Sequence, residues 1–131
     1  MSNEARACVL DASALLAMLQ AESGADVVEA VIDRGAMSTV NWSEVYERSV
    51  ARGVNVGGLR AGVQALGLKI LPFTVDDAEQ AAELWPETRV SGLSLGDRGC
   101  LTLAHRLGLP ALTADRTWIG LTPEVEVQSI R

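Results

Sequence analysis

Short, uninterrupted apolar runs alternate along the chain with stretches whose apolar positions recur every three to four residues. The first kind reads as strand and the second as amphipathic helix. Strands are expected at Ala7 to Leu10, Ala36 to Thr39, Lys69 to Phe73, Ala111 to Thr113 and Val125 to Ile130. Helices are expected at Ser13 to Gln20, Ala25 to Arg34, Trp42 to Ala51, Leu59 to Leu66 and Leu95 to Leu107, and from Thr74 to Trp85-Pro86. Gly35, Gly67 and Gly108 stand where three of them stop. Gly53 to Gly58 reads as a glycine-rich loop, and Glu87 to Leu93 as an exposed one. Strand and helix in alternation are the signature of an α/β layer fold with a parallel sheet. No repeat or linker divides the chain, so one domain over residues 1–131 is expected.

Four acids stand where an apolar run gives way to a turn or helix: Asp11, Glu44, Asp97 and Asp115. In a parallel α/β fold such positions gather at the carboxyl edge of the sheet, where ligands bind. Gathered carboxylates repel: at ~4 Å and an effective dielectric of ~20, each close pair costs roughly 4 kcal/mol. A hard divalent cation with a preference for oxygen would relieve that repulsion.

Each acid also has a purely structural reading. Glu44 follows Asn41 by three and Asp97 follows Ser94 by three, both capping-box spacings. Asp11 and Asp115 suit turn caps. Asp97, however, shares a helix stripe with Cys100, Leu101 and Ala104, so it faces inward where a cap would face water. A buried carboxylate without a partner is costly, which implies a ligand. Glu44 is less clearly oriented, because Trp42, Val45 and Ser49 compete to define its helix face. Ser13 and Thr113 place hydroxyls two residues from an acid, where they suit either a cap or the support of a carboxylate. Thr74 and Asp77 form another capping box, and Asp76 and Asp77 read as surface acids at a helix start.

Composition narrows the chemistry. The single histidine, His105, falls mid-helix and away from these turns, so a Ser-His or Cys-His nucleophile is not expected. Cys8 and Cys100 lie in apolar stretches and read as buried free thiols. The formal charge of −6 weighs against nucleic acid, although ten of the eleven basic residues are arginine, the better phosphate partner. No apolar run is long enough to span a membrane, and the start lacks the basic-then-apolar pattern of a signal peptide. A soluble, cytoplasmic protein is expected.

Four segments, Val9-Leu-Asp11-Ala-Ser13, Asn41-Trp-Ser-Glu44-Val, Leu93-Ser-Leu-Gly-Asp97-Arg-Gly-Cys-Leu and Leu112-Thr-Ala-Asp115-Arg-Thr-Trp118, resemble the motifs of PIN-domain ribonucleases. The likeness is strongest to the VapC-type toxins of bacterial toxin–antitoxin pairs. It runs from Cys8 to the C-terminus, in the family's order and spacing. The resemblance implies a three-layer α/β/α fold around a parallel sheet of four to five strands. It implies a Mg²⁺- or Mn²⁺-dependent endoribonuclease, with Asp11, Glu44, Asp97 and Asp115 as the acidic quartet. Asp11 and Asp97 would be the most direct ligands, Glu44 and Asp115 would complete the site, and Ser13 and Thr113 match the supporting hydroxyls. A homodimer and a cognate antitoxin that blocks the acidic groove are also implied. RNA would be contacted by arginines near the acids: Arg98 and Arg116 beside quartet members, and Arg48, Arg52 and Arg60 around the glycine loop.

Two rivals stand against this. A non-cleaving PIN-like module would bind RNA or a protein without cutting. An aspartate-based phosphatase of the haloacid-dehalogenase kind needs Asp-x-Asp after its first strand, where this chain has Asp11-Ala-Ser13.

Overall fold

The computed structural model describes residues 6–131; the start read above for a missing signal pattern, Met1 to Ala5, lies outside them. Five strands, β1 (Cys8–Leu10), β2 (Gly35–Ser38), β3 (Lys69–Leu71), β4 (Ala111–Thr113) and β5 (Val127–Ser129), form one sheet in the order β3-β2-β1-β4-β5. Every pairing is parallel, with Val9 in register with both Ala36 and Ala111.

The three central strands, β1, β2 and β4, are buried throughout because both sheet faces are covered, whereas the edge strands β3 and β5 expose Lys69 and Gln128. Side chains alternate along a strand, so neighbours in sequence enter opposite cores. Cys8, Leu10, Met37 and Leu112 pack against Leu15 and Leu16 of α1 (Ala12–Leu19), Val28 of α2 (Ala25–Val31), Val45 of α3 (Thr39–Ala51) and Val63 of α4 (Leu59–Ala65). Val9, Ala36 and Ala111 face the other way, onto Cys100, Leu101, Leu103 and Ala104 of α7 (Leu95–Leu107) and onto Trp118. The result is the expected three-layer α/β/α arrangement. Each fully buried Leu, Val or Met contributes roughly 1.5–3 kcal/mol.

The chain builds outward from β1 through β2 to β3, then returns to add β4 and β5 on the other side of β1. The connections therefore diverge between β1 and β4. That divergence opens a crevice at the carboxyl ends of these two strands, the switch point of the sheet.

Some elements differ from expectation. Helix α3 starts at Thr39 with Ser38 as its cap, three residues before the expected Trp42, which places Asn41 inside the first turn. The segment Glu87 to Leu93 is largely exposed, as expected, but it is not a loop. It follows α5 (Val75–Glu83) as a short helix, α6 (Trp85–Thr88), and a 3-10 turn, Arg89–Ser91. Pro86 occupies the first turn of α6, where a missing N–H removes no helical hydrogen bond. Thr88 is buried with its hydroxyl on Leu84 O (2.7 Å), and Leu93 joins the α7 core. Among the described residues no helix is long and apolar enough to cross a membrane.

Candidate active site

The residue after β1 is Asp11. It serves first as a cap, its Oδ1 accepting from Ala14 N at 2.8 Å to start α1. The same carboxylate accepts from Ser13 Oγ (2.8 and 2.9 Å) and from Thr113 Oγ1 at the end of β4 (2.7 Å). Only 3% of Asp11 is exposed. Burial, resisted by the Thr113, Ala14 and Ser13 donors and reinforced by the nearby Asp97 charge, pushes its carboxyl up to about 6. Both hydroxyls also tie the β4 turn down: Ala114 N donates to Ser13 Oγ (2.9 Å) and Asp115 N to Thr113 Oγ1 (3.0 Å). Asp115 in turn accepts from Thr117 N and Oγ1 at 2.9 and 2.7 Å.

Asp97 arrives from α7. Its capping box is complete, Asp97 N donating to Ser94 Oγ (3.1 Å) and Ser94 N to Asp97 Oδ2 (2.9 Å). The choice between cap and inward-facing acid was therefore a false one, because half-buried Asp97 is both. Burial raises its carboxyl above the ordinary range, and the Asp115 charge adds to that.

Glu44 is placed by contacts that its capping spacing did not foretell. Asn41 makes no capping box. Fully buried, it donates from Nδ2 to Glu44 Oε1 (3.3 Å) and to Gly96 O (3.0 Å), joining α3 to α7. Gly96 completes the cradle, because a methyl at its Cα would overlap Glu44 Oε1. Burial first, and then the Asp97 charge, raises the Glu44 carboxyl. Sequence alone reads Asn41 only as a helix cap and does not single out Gly96. A glycine in the first turn of a helix is itself a signal, since it costs helix stability unless something needs the space.

Asp11, Ser13, Leu16, Glu44, Arg48, Asp97 and Asp115 line one cleft of about 160 Å³ at the switch point. Larger clefts lie elsewhere (about 420 and 330 Å³), yet this one holds the buried carboxylate and the mutually repelling acids. Among the described residues no three acids, cysteines or histidines are drawn into a ready metal cage. The donor set still fits a hard cation. It is all oxygen, and a small divalent ion that keeps most of its waters needs only one or two carboxylates beside a substrate phosphate. Cys100 lies beneath the acids. Complete burial and the Asp11, Asp97 and Glu44 charges hold its thiol protonated, and burial pushes Cys8 up to about 11.

The arginines divide. Arg48 is exposed in the cleft wall. Arg52, one turn on, lines a neighbouring groove with Leu16, a residue shared with the acidic cleft. Arg98 is committed to the fold, with Nη1 on Ala81 O at 2.8 Å. Arg116 reaches Arg131 O (3.1 Å), and Arg60 lies by Trp42 and Tyr46 in a separate cleft. Asp77, read as a surface acid, is 1% exposed and held by Arg106 through two bonds of 3.1 Å.

No curated protein sequence is similar enough to match the chain. Several solved structures share its fold. A toxin–antitoxin complex from Klebsiella pneumoniae aligns over 95% of this chain and 98% of its own, with TM-score 0.74 at 21% identity. The DNA-bound VapBC of Salmonella typhimurium aligns over 96% and 99%, with TM-score 0.66 and 14% identity. VapBC-5 of Mycobacterium tuberculosis aligns over 95% and 98%, with TM-score 0.59 and 26% identity. Residues 8–121 match the PIN domain, nearly the whole chain including all four acids, and the chain belongs to the PIN-domain family.

Proposed function

We propose that this protein is a divalent-metal-dependent endoribonuclease, the toxin of a VapBC-type toxin–antitoxin pair. The observation that carries the reading is Asp11, a carboxylate buried at the switch point among acids that raise one another's proton affinity. Holding that group ionised costs stability, and a cation offsets the cost.

Asp11 and Asp97 would hold Mg²⁺ or Mn²⁺ most directly, with Glu44 and Asp115 completing the site directly or through water. A bound ion of this kind lowers the pKa of an attacking water and stabilises charge on a phosphodiester. The rest falls to the protein. Ser13 Oγ donates to both Asp11 oxygens and Thr113 Oγ1 to Oδ2, which fixes the orientation of the carboxylate. Asn41 and Gly96 hold Glu44 against α7. Arg48 offers a fork-shaped donor to a phosphate at the cleft wall, and Arg52 and Arg116 are candidates for neighbouring phosphates. Arg98 contributes less in this reading, since its guanidinium is already bonded.

The partners proposed are RNA as substrate, a cognate antitoxin and a second copy of this chain, in the cytoplasm. Solved structures similar to this chain are described as toxin–antitoxin complexes, which supports the pairing with an antitoxin.

The test incubates purified protein with total RNA and with a fluorogenic oligoribonucleotide, in Mg²⁺, Mn²⁺ or EDTA, beside Asp11→Asn and Asp97→Asn. Cleavage by the wild type alone, abolished by EDTA, is expected. Equal cutting by wild type and both variants refutes the reading. RNA binding without cleavage in either metal favours the non-cleaving module.

A further inference from the structure

A second cleft lies on the other side of α3 from the acids, where that helix faces the glycine loop and the start of α4. Trp42 and Tyr46 each stand two residues from Glu44, and at ~100° per residue this turns them away from it. The cleft encloses about 420 Å³, against about 160 Å³ for the acidic one. Trp42, Tyr46, Val56, Gly58, Arg60 and Ala61 line it, with no acid among the described residues. The two rings meet edge to face, 6.2 Å apart between centroids and inclined at 69°.

The aromatic and charged groups of this cleft are left open. Tyr46 is 40% exposed. Trp85, the other surface aromatic, is already covered by Arg89, 5.1 Å from its ring centroid. Among the described residues no cation stands over Trp42 or Tyr46, and Arg60, exposed at the rim, enters no ion pair. Gly58 adopts φ +137°, which admits a side chain only with strain, and a Cβ there would meet nothing within 4 Å. The wall beside the rings therefore stays clear. Open aromatic faces beside an unpaired guanidinium are complementary to a planar base that carries a phosphate. A peptide side chain could also cover the rings, but an arginine in an acid-free cleft, on a chain of net charge −6, favours an anionic occupant. The volume suits one such nucleotide unit.

We infer that this cleft stacks an unpaired nucleobase of single-stranded RNA on Trp42 and Tyr46, while Arg60 holds the adjoining phosphate. The site rests on the reading of RNA as the substrate and adds a second hold on it, across the ~10–12 Å width of α3 from the acids. It selects strandedness rather than sequence. Every base has a face to stack, whereas a base paired within a duplex cannot be splayed onto a ring without breaking its pair.

The experiment titrates the full-length protein, labelled with ¹⁵N and held in EDTA so that metal-dependent cleavage is silent. The probes are single-stranded oligoadenylate, an abasic ribose-phosphate strand of the same length and an RNA duplex of that length. Saturable movement of the Trp42 indole N–H signal, with those of Trp85 and Trp118 unmoved, is expected with oligoadenylate. The abasic strand and the duplex should each bind at least about fivefold more weakly. Tyr46→Leu, which keeps bulk and removes the ring, should weaken oligoadenylate at least about fivefold, and Tyr46→Phe should bind it like wild type. Arg60→Ala should flatten the slope of log affinity against log salt by about 0.7. Equal binding of the abasic strand, or a Tyr46→Leu protein indistinguishable from wild type, would overturn the site. So would a Tyr46→Leu protein that binds RNA normally but loses a dimer in sedimentation, which assigns the cleft to a second copy of the chain. Failure here and failure of the nuclease reading are distinguishable. Cleavage by wild type with RNA binding untouched by Tyr46→Leu sinks the site alone, and Tyr46-dependent binding without cleavage in either metal sinks the nuclease alone.

Discussion

Helices α5 and α7 begin with the same device and use it for opposite ends. In each, a hydroxyl residue caps the helix and an aspartate three residues on returns the bond: Thr74 with Asp77, Ser94 with Asp97. Asp77 is buried and its two oxygens meet Arg106 across the α5–α7 contact. Among the described residues Asp97 has no such partner; its neighbours are Glu44, Asp11 and Asp115, and its carboxyl is raised. A capping box therefore says where a helix starts and nothing about what its acid is for. The charge that faces the acid decides: an arginine makes it structural, and further acids make it a candidate ligand.

The comparison breaks most visibly under paired substitution. Asp97→Asn should lower RNA cleavage at least about 100-fold while leaving the melting temperature unchanged or raised, because it relieves repulsion. Asp77→Asn should leave cleavage nearly intact and lower stability by about 2 kcal/mol, or roughly 5–10 °C, by stripping charge from the Arg106 pair and weakening the cap. Cleavage rates and thermal melts on the two variants check this. Loss of activity in both, or of stability in both, would mean the two boxes do not differ as claimed.

Asp11 sharpens the same contrast through pH. Burial pushes its folded carboxyl up to about 6 from an ordinary 3.8, so between those values the folded state binds the extra proton. Its stability contribution is thus fully present below 3.8 and lost as pH rises to about 6; above that the ionised group destabilises by about 3 kcal/mol. Asp11→Asn should be more stable than wild type at pH 7.5 in EDTA, by about 2 kcal/mol after allowing for a poorer fit to its hydroxyl donors, and little different at pH 3.5. Urea melts at both pH values measure it. A variant less stable than wild type at pH 7.5 contradicts the assigned cost of that charge.

Glycines of α7 separate site from core within one turn. A methyl at Gly96 meets the terminal carboxylate of Glu44, whereas one at Gly99 meets Val40 Cγ1 and, at 3.3 Å, the Phe73 ring. Gly96→Ala should cut cleavage about tenfold by displacing Glu44, with the melting temperature little changed. Gly99→Ala should instead destabilise by about 1–3 kcal/mol through overpacking. If Gly96→Ala cleaves RNA like wild type, the Glu44 cradle has no catalytic part.

What could be read beforehand follows from how local the determinants are. The apolar strands, the glycine stops and the boxes of α5 and α7 depend on neighbours within a few residues, and all appear where the pattern places them. Asn41 was misjudged because Ser38, three residues earlier, takes the cap and leaves the amide to bridge α3 to α7, a contact 55 residues away in sequence. Asp77 looked like surface because its partner, Arg106, is 29 residues on. Pro86 suggested an ending where it opens a helix. Motif order brought the four acids to one cleft on paper. Which arginine shares that cleft, Arg48 and not Arg98, depended on rotations about α3 and α7 that spacing leaves open.

The smallest expected effect tests the support beneath Asp11. Thr113 Oγ1 is the donor that most lowers the Asp11 carboxyl, and it also receives Asp115 N. Thr113→Val keeps the shape and removes that donor, so the Asp11 carboxyl should climb above its present value of about 6. If the ionised form is the working one, the acid limb of the pH–rate profile moves toward higher pH, and the rate at pH 7 falls by roughly tenfold or less. Thr113→Ser restores the hydroxyl and should return the limb to its original position. A Val variant whose rate drops uniformly at every pH, with no movement of the limb, would assign Thr113 to the packing of β4 and leave Asp11 to be held by Ser13 and Ala14 alone.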